Sequence, residues 1–248
     1  MNILVCVSRV PDTASRVLVG SDGKSIDPQG IKFVVNPYDE YALEEGLRIR
    51  EKNGGTVTVL TVGTETAKEQ LRTSLAMGAD KAILIKTDKP FDSFFTANNI
   101  ANIAKELNPE IILLGKQSVD FDSLQVPSML GEIINYPSVS VVTKLTIDGT
   151  TVIAEREIEG GKETVETSLP CIISCQKGLN DPRYPKLPDI MKAKSKPIDE
   201  KTPIASDDRV TILGMEIPSK KRAGILLGDT DNDINELVRL LHEESKVI

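Results

Sequence analysis

Short apolar runs alternate with amphipathic stretches through the first half of the chain. Ile3–Val7, Thr56–Val62, Ala82–Ile85 and Ile111–Leu114 are brief and rich in branched side chains, the pattern of strands buried on both faces of a parallel sheet. Between them, Asp39–Lys52, Ala67–Met77 and Ser93–Leu107 repeat apolar positions at helical spacing. Ala42 with Ile49 and Leu43 with Leu47 mark the first, and Ala67, Leu71 and Leu75 the second. Gly54-Gly55 and Gly78 fall where helices should stop. The alternation predicts an α/β fold with a doubly wound, mostly parallel sheet and right-handed crossovers.

The pattern then changes. After a helix at about Gln125–Ile134, the runs Val139–Ile147, Val152–Ile158 and Glu163–Thr167 read as an antiparallel extension, with a tight turn at Asp148-Gly149. Cys171–Cys175 reads as one more buried strand. From Gly178 to Ser219 there are six prolines and little periodicity, which predicts an extended C-terminal arm. A last helix, Asn232–Glu244, carries Ile234, Leu237, Val238, Leu240 and Leu241. The expected organisation is an α/β domain over 1–177, then an arm and terminal helix over 178–248. So long an arm is hard to explain in a self-contained monomer and natural if it wraps a partner.

Composition narrows the function classes. A chain of 248 residues with net charge −7 is a poor match for nucleic acid, and no apolar run approaches the roughly 20 residues of a membrane span. Met1–Val7 runs directly into a strand without a basic leader, so no signal or transit peptide is expected, and a bacterial, cytoplasmic setting is. Cys6, Cys171 and Cys175 are an odd number in apolar surroundings, which fits reduced core thiols. With His242 the sole histidine, no metal site and no Ser/His/Asp arrangement can be proposed. Asp120 with Asp122 and Glu157 with Glu159 could be cast as acid and base, but exposed loop and strand charges are ordinarily solvated. No catalytic residue is expected.

Two regions invite a binding role. In open α/β sheets ligands sit beyond the C-terminal strand ends, at the reversal of strand order. Cys6–Asp12, Asn36-Pro37-Tyr38-Asp39 and Gly115–Gln125 should meet there. A helix start behind the third loop could hold a phosphate with backbone N–H groups and the Ser118 or Ser123 hydroxyl, or these loops could be plain rim and cap chemistry. The second region is Arg183–Lys194. Pro185 and Pro188 bracket Leu187, which should sit on a stiff projecting turn, with Tyr184, Ile190, Met191 and Lys192 close by. A stiff apolar tip ringed by lysines can dock on an acidic partner or fold back onto its own core.

The residues of these regions resemble one family. Asn180-Asp181-Pro182-Arg183-Tyr184, Leu187-Pro188 and Ile190–Lys194 resemble the recognition loop of the electron-transfer flavoprotein β subunit. Arg156–Glu163, with Leu169-Pro170, resembles its signature, and the likeness runs from Asn2 to the terminal helix. The resemblance implies an adenine-nucleotide α-hydrolase-like fold and a structural AMP. Its AMP contacts would be Cys6, Asn36, Pro37, Tyr38, Asp39, Val62, Gly115, Lys116, Gln117, Ser118, Val119, Asp120, Phe121, Asp122, Ser123, Leu124, Gln125 and Val126. It further implies an α-subunit partner holding most of an FAD, with Thr13 near the flavin and Glu157 pairing with an α-subunit arginine. Tyr184, Leu187, Pro188, Ile190, Met191 and Lys192 would dock acyl-CoA or other flavin dehydrogenases, and electrons would pass through the partner's mobile flavin domain to a quinone oxidoreductase or another acceptor. A bifurcating branch of the family carries a second FAD in the AMP pocket. Val10–Thr13 and Asn36–Asp39 look like that branch, whereas Phe121, where that branch has glycine, and the recognition loop look like the AMP form. A stand-alone nucleotide sensor of the same fold would explain the pocket but not the arm.

Overall fold

The computed structural model describes residues 1–89, 91–206, 208–218 and 224–248. The first strands and helices are β1 (Asn2–Cys6), β2 (Arg9–Pro11), β3 (Phe33–Val35), α1 (Pro37–Asn53), β4 (Thr56–Gly63), α2 (Lys68–Met77) and β5 (Lys81–Lys86). They are followed by α3 (Ser93–Leu107), β6 (Ile111–Gly115), α4 (Val126–Ile134), β7 (Ser138–Asp148), β8 (Thr151–Ile158) and β9 (Gly161–Ser168). The last are β10 (Cys171–Cys175), α5 (Leu187–Ala193), β11 (Asp199–Lys201) and α6 (Asp231–Arg239).

Among the described residues, nine strands form one sheet in the order β11-β5-β4-β1-β6-β10-β7-β8-β9. Pairing is parallel from β11 through β7 and antiparallel between β7, β8 and β9. The fold is therefore α/β, with a mostly parallel sheet and an antiparallel extension, as the patterning implies. Strand side chains alternate between two cores. Ile3, Val5, Val57 and Val59 pack with Leu43, Leu47 and Leu71 from α1 and α2. Leu4, Leu60, Ile83 and Ile112 pack with Ile100 and Ile103 from α3 and Leu130 from α4. Two covered faces are why these strands lack a polar side.

Three features were hidden from pattern reading. The β2–β3 ribbon pairs Arg9 with Val35 and Pro11 with Phe33, in strands too short to show a period. β11 is Asp-Glu-Lys, with no apolar residue, yet it pairs in parallel with Ile83–Ile85 of β5. Leu187 opens the helix α5 instead of standing on a turn. With Pro188 in the first helical positions, the missing N–H is one the helix could not have used.

The chain divides into two compact units, 1–214 and 215–248. The stretch 178–214, which the prolines mark as arm, belongs to the first unit and contains α5 and β11. In the second unit, a Thr230–Asp233 capping box starts α6, and exposed Ile234, Leu237 and Val238 share one helix face. The expected helix to Glu244 ends as α6 at Arg239 and continues as a π turn over Leu240–Glu244, where Arg239 binds Glu236, Glu243 and Glu244. Ser219, the expected end of the arm, lies outside the described residues. Among the described residues no helix is long and apolar enough to cross a membrane.

Candidate functional site

β1 lies between β4 and β6, so the chain order reverses at β1. A cleft of about 520 Å³ opens there, beyond the C-terminal ends of these strands. Its size falls in the ~300–1,000 Å³ range of small-molecule sites.

The start of α1 holds the cleft together from behind. Asn36 occupies the N-cap position with Pro37 after it, but its side chain makes no cap bond. It reaches across instead: Nδ2 donates to the Gln117 carbonyl at 2.8 Å, and Oδ1 accepts from the Val119 N–H at 3.2 Å. Asp39 ties the other two loops. Its Oδ2 accepts from Ser8 N–H at 2.7 Å and its Oδ1 from Gly115 N–H at 2.9 Å. Gly115 has to be glycine for this to form, since a Cβ there would lie 2.4 Å from Asp39 Oδ1 and 2.7 Å from Tyr38 Cβ. Burial pushes the Asp39 carboxyl up to about 7, while donors from Asn36, Ser8 and Gly115 pull the other way. The Cys6 thiol is driven far above its ordinary range by burial, with the Asp39 charge adding to it, which disfavours the thiolate.

Most of the anticipated contacts meet at this cleft. Cys6, Asp39 and Val62 line it, as do Gly115–Ser118, Asp120, Phe121 and Ser123–Val126. Asn36, Pro37, Tyr38 and Asp122 do not; Tyr38 carries the Lys116 ammonium over its ring at 4.9 Å. Val119 and Thr13 instead line a second depression of about 220 Å³, with Asp120 bordering both. The third loop is wound tightly, with positive φ at Asp122 (55°) and Leu124 (55°). It leads into α4, whose N-cap Gln125 makes no side-chain bond; the first two helical residues, Val126 and Pro127, line the cleft, and Pro127 has no N–H to offer. Phe121 remains 64% exposed, at the mouth rather than the floor.

Two further contributors complete the lining: Arg9, inside the Cys6–Asp12 segment expected at the cleft, and the Val210 and Ile212 pair, which the sequence does not point to. Arg9 lines the cleft with its guanidinium 3.4 Å from the Phe33 ring centre, and burial lowers its pKa, with Glu69 opposing. Val210 and Ile212 form part of the wall because Asp92 serves two elements. Its Oδ1 caps α3 through Phe95 N–H at 2.8 Å, and its Oδ2 accepts from Arg209 and Val210 N–H at 2.5 and 2.9 Å. Asp92-Ser93 is legible as a helix start, but the partner more than a hundred residues away is not.

The second region stands out from the surface. Tyr184 is 92% exposed, Leu187 73% and Met191 59%, with Ile190 beside them. Leu187, Ile190 and Met191 share one face of α5 by their three- and four-residue spacing. Pro188 and Lys192 are exposed with them, whereas Ala193 is buried. Glu157 is exposed on β8 and accepts from Gln176 Nε2 at 3.4 Å; the neighbouring Arg156 pairs with Glu163. Among the described residues no group of His, Cys, Asp and Glu is arranged to hold a metal.

A family model described as the electron transfer flavoprotein domain matches residues 24–206, well over half the chain and all of the α5 region. The chain belongs to the electron-transfer flavoprotein family. Electron transfer flavoprotein subunit beta of Bacillus subtilis (strain 168) is 41% identical, covering the whole of both chains. The subunit beta of Bradyrhizobium diazoefficiens is 38% identical, again over the whole of both. The mitochondrial subunit beta of Arabidopsis thaliana is 38% identical over 98% of this chain and 99% of its own. As an electron-transfer flavoprotein, the chain works in electron transport, and its likeness to subunits named beta extends from end to end.

Proposed function

We propose that this chain is the β subunit of a heterodimeric electron-transfer flavoprotein, binding AMP structurally in the cleft and docking flavin dehydrogenases through α5. The carrying observation is the exposed stripe Leu187, Ile190 and Met191, which an isolated domain would not leave in water without use. The partner is an α subunit that holds most of an FAD, and this chain supplies one wall near Thr13. FAD, when bound, supplies the redox chemistry; the protein supplies position and electrostatics. The residues present suit AMP. Ser118 and Ser123 offer hydroxyls, and the start of α4 offers the Val126 N–H and the positive end of the helix dipole for a phosphate, Pro127 having no N–H to give. Leu187 selects the electron donor and carries no electrons, which pass through the partner's FAD to a quinone oxidoreductase or another acceptor.

A bifurcating subunit is the second reading, favoured by Asp120 bordering both depressions, so that a longer dinucleotide could extend between them. Denaturing the purified heterodimer and quantifying the released nucleotides separates the two. One FAD and one AMP are expected per heterodimer; two FAD and no AMP sinks the AMP assignment. A chain that runs alone and without flavin is a sensor instead.

A further inference from the structure

A seven-residue helix such as α5 has no stability of its own, because nucleation costs more than so few hydrogen bonds return. Its order has to come from what it is fastened to: Ala193 is buried in the core, and both ends are held by arginines. Before the helix, Arg183 Nε and Nη2 donate to Glu44 Oε2 and Oε1 at 2.8 and 3.0 Å, and the Arg183 backbone N–H donates to Glu44 Oε2 at 3.1 Å. The same guanidinium donates to Glu51 at 2.6 and 3.2 Å, two turns further along α1. Glu44 is only 3% exposed and also accepts from Arg48 Nε at 2.9 Å. Asn180 Nδ2 adds bonds to the Tyr41 carbonyl and to Glu45 Oε2 at 3.0 and 2.9 Å. After the helix, Arg72 Nη1 from α2 donates to the carbonyls of Ala193 and Lys196 at 2.6 and 2.5 Å. The exposed stripe lies between these two points.

We propose that Arg183 is a positioning residue for docking: with Glu44 and Glu51 it forms a latch that keeps α5 folded and aimed before any partner arrives. The proposal rests on α5 being the docking surface. A flexible loop would have to be ordered on each encounter, and the latch moves that ordering cost into the folding of the chain. Bidentate geometry matters here, because a lysine keeps the charge but cannot grip two carboxylates in a plane. Arg183 touches no docking partner itself; it acts through the position of Leu187.

The test uses the purified heterodimer and an acyl-CoA dehydrogenase that reduces it. Arg183→Lys should raise the apparent KM for the heterodimer by about five- to tenfold, with kcat and nucleotide content unchanged, as expected for a few side chains ordered at binding. Amide exchange over 187–193 should speed up. In the Arg183→Lys background, Leu187→Ala should cost clearly less than it does alone, because the anchor is no longer held in place. Glu51→Gln, which leaves the buried Glu44 contact intact, should act in the same direction more weakly. Unchanged exchange over 187–193 overturns the latch whatever the kinetics show. Strict additivity with Leu187→Ala overturns the link to docking. A Leu187→Ala protein with wild-type KM removes the docking reading itself, and faster exchange over 187–193 in Arg183→Lys would then still support the latch.

Discussion

The cleft and the α5 segment proposed to dock partners solve the problem of holding a surface ready in opposite ways. In the cleft, the reaching is done by buried side chains, and what they hold is the backbone of the lining loops. Asn36 and Asp39 spend their polar atoms on backbone groups of Ser8, Gly115, Gln117 and Val119, and the loops so held bring Ser118 and Ser123 to the cleft lining. In the α5 segment the backbone is held through Arg183 and Arg72, and what is exposed is apolar side chain. A backbone-made site tolerates change in its lining and little change in its braces. A side-chain-made site is the reverse at its tip, where each exposed residue counts directly. Both hang on α1, which braces the cleft with its first turn and the latch with Glu44 and Glu51.

Substitutions can break this contrast in turn. Gly115→Ala should have the largest effect. The added methyl meets Asp39 and the Tyr38 backbone, neither of which can swing away. A loss of about 3 kcal/mol is expected from such overpacking, read as a lower unfolding midpoint with AMP missing from the purified complex. Asp39→Asn comes next. It leaves one of the two N–H groups facing a donor, a cost of about 1–3 kcal/mol, and AMP retention should fall while docking kinetics hold. If AMP content stays stoichiometric, the brace is not what shapes the cleft. Leu187→Ala should leave stability and both nucleotides untouched and raise the dehydrogenase KM by about tenfold or more, as removal of an anchor does.

Acidity offers a smaller, reversible probe. The Asp39 carboxyl is raised to about 7 in the folded chain from an ordinary value of 3.8. A raised folded value means that the native state binds the proton more tightly. Its contribution to stability is then full below the unfolded value and is lost as pH rises through about 7. Between pH 8 and 6 the wild type should gain midpoint temperature relative to Asp39→Asn; a constant difference would mean that Asp39 does not titrate there. Glu157→Gln should have the least effect, at most about 1 kcal/mol on subunit association and weaker still at high salt, as for an exposed ion pair.

The sequence was legible where one element answers to one period. The alternating runs placed the strands and helices of the sheet to within a few residues, because burial on both faces leaves an unbroken apolar signature. The cleft loops were also legible, since strand ends at a reversal of order must meet. The roles within those loops were not. Asn36 sits at a cap position yet bonds Gln117 and Val119, and nothing local distinguishes the two uses. β11 has no apolar residue at all and is a strand only because the β5 edge was open. Arg183 reads as one more basic residue in a basic loop, and its grip on Glu44 depends on a neighbour 139 positions away.

The two ends of the sheet carry one more consequence. β11 is Asp199-Glu200-Lys201, and its charges are tied into Lys68 and Glu106. β9, at the far edge, carries Lys162, Glu163 and Glu166. Charged margins of this kind disfavour pairing with another strand, since an incoming chain would bring its own side chains against them. Growth of the sheet is thereby closed on both sides, and the fold resists self-association into longer ribbons.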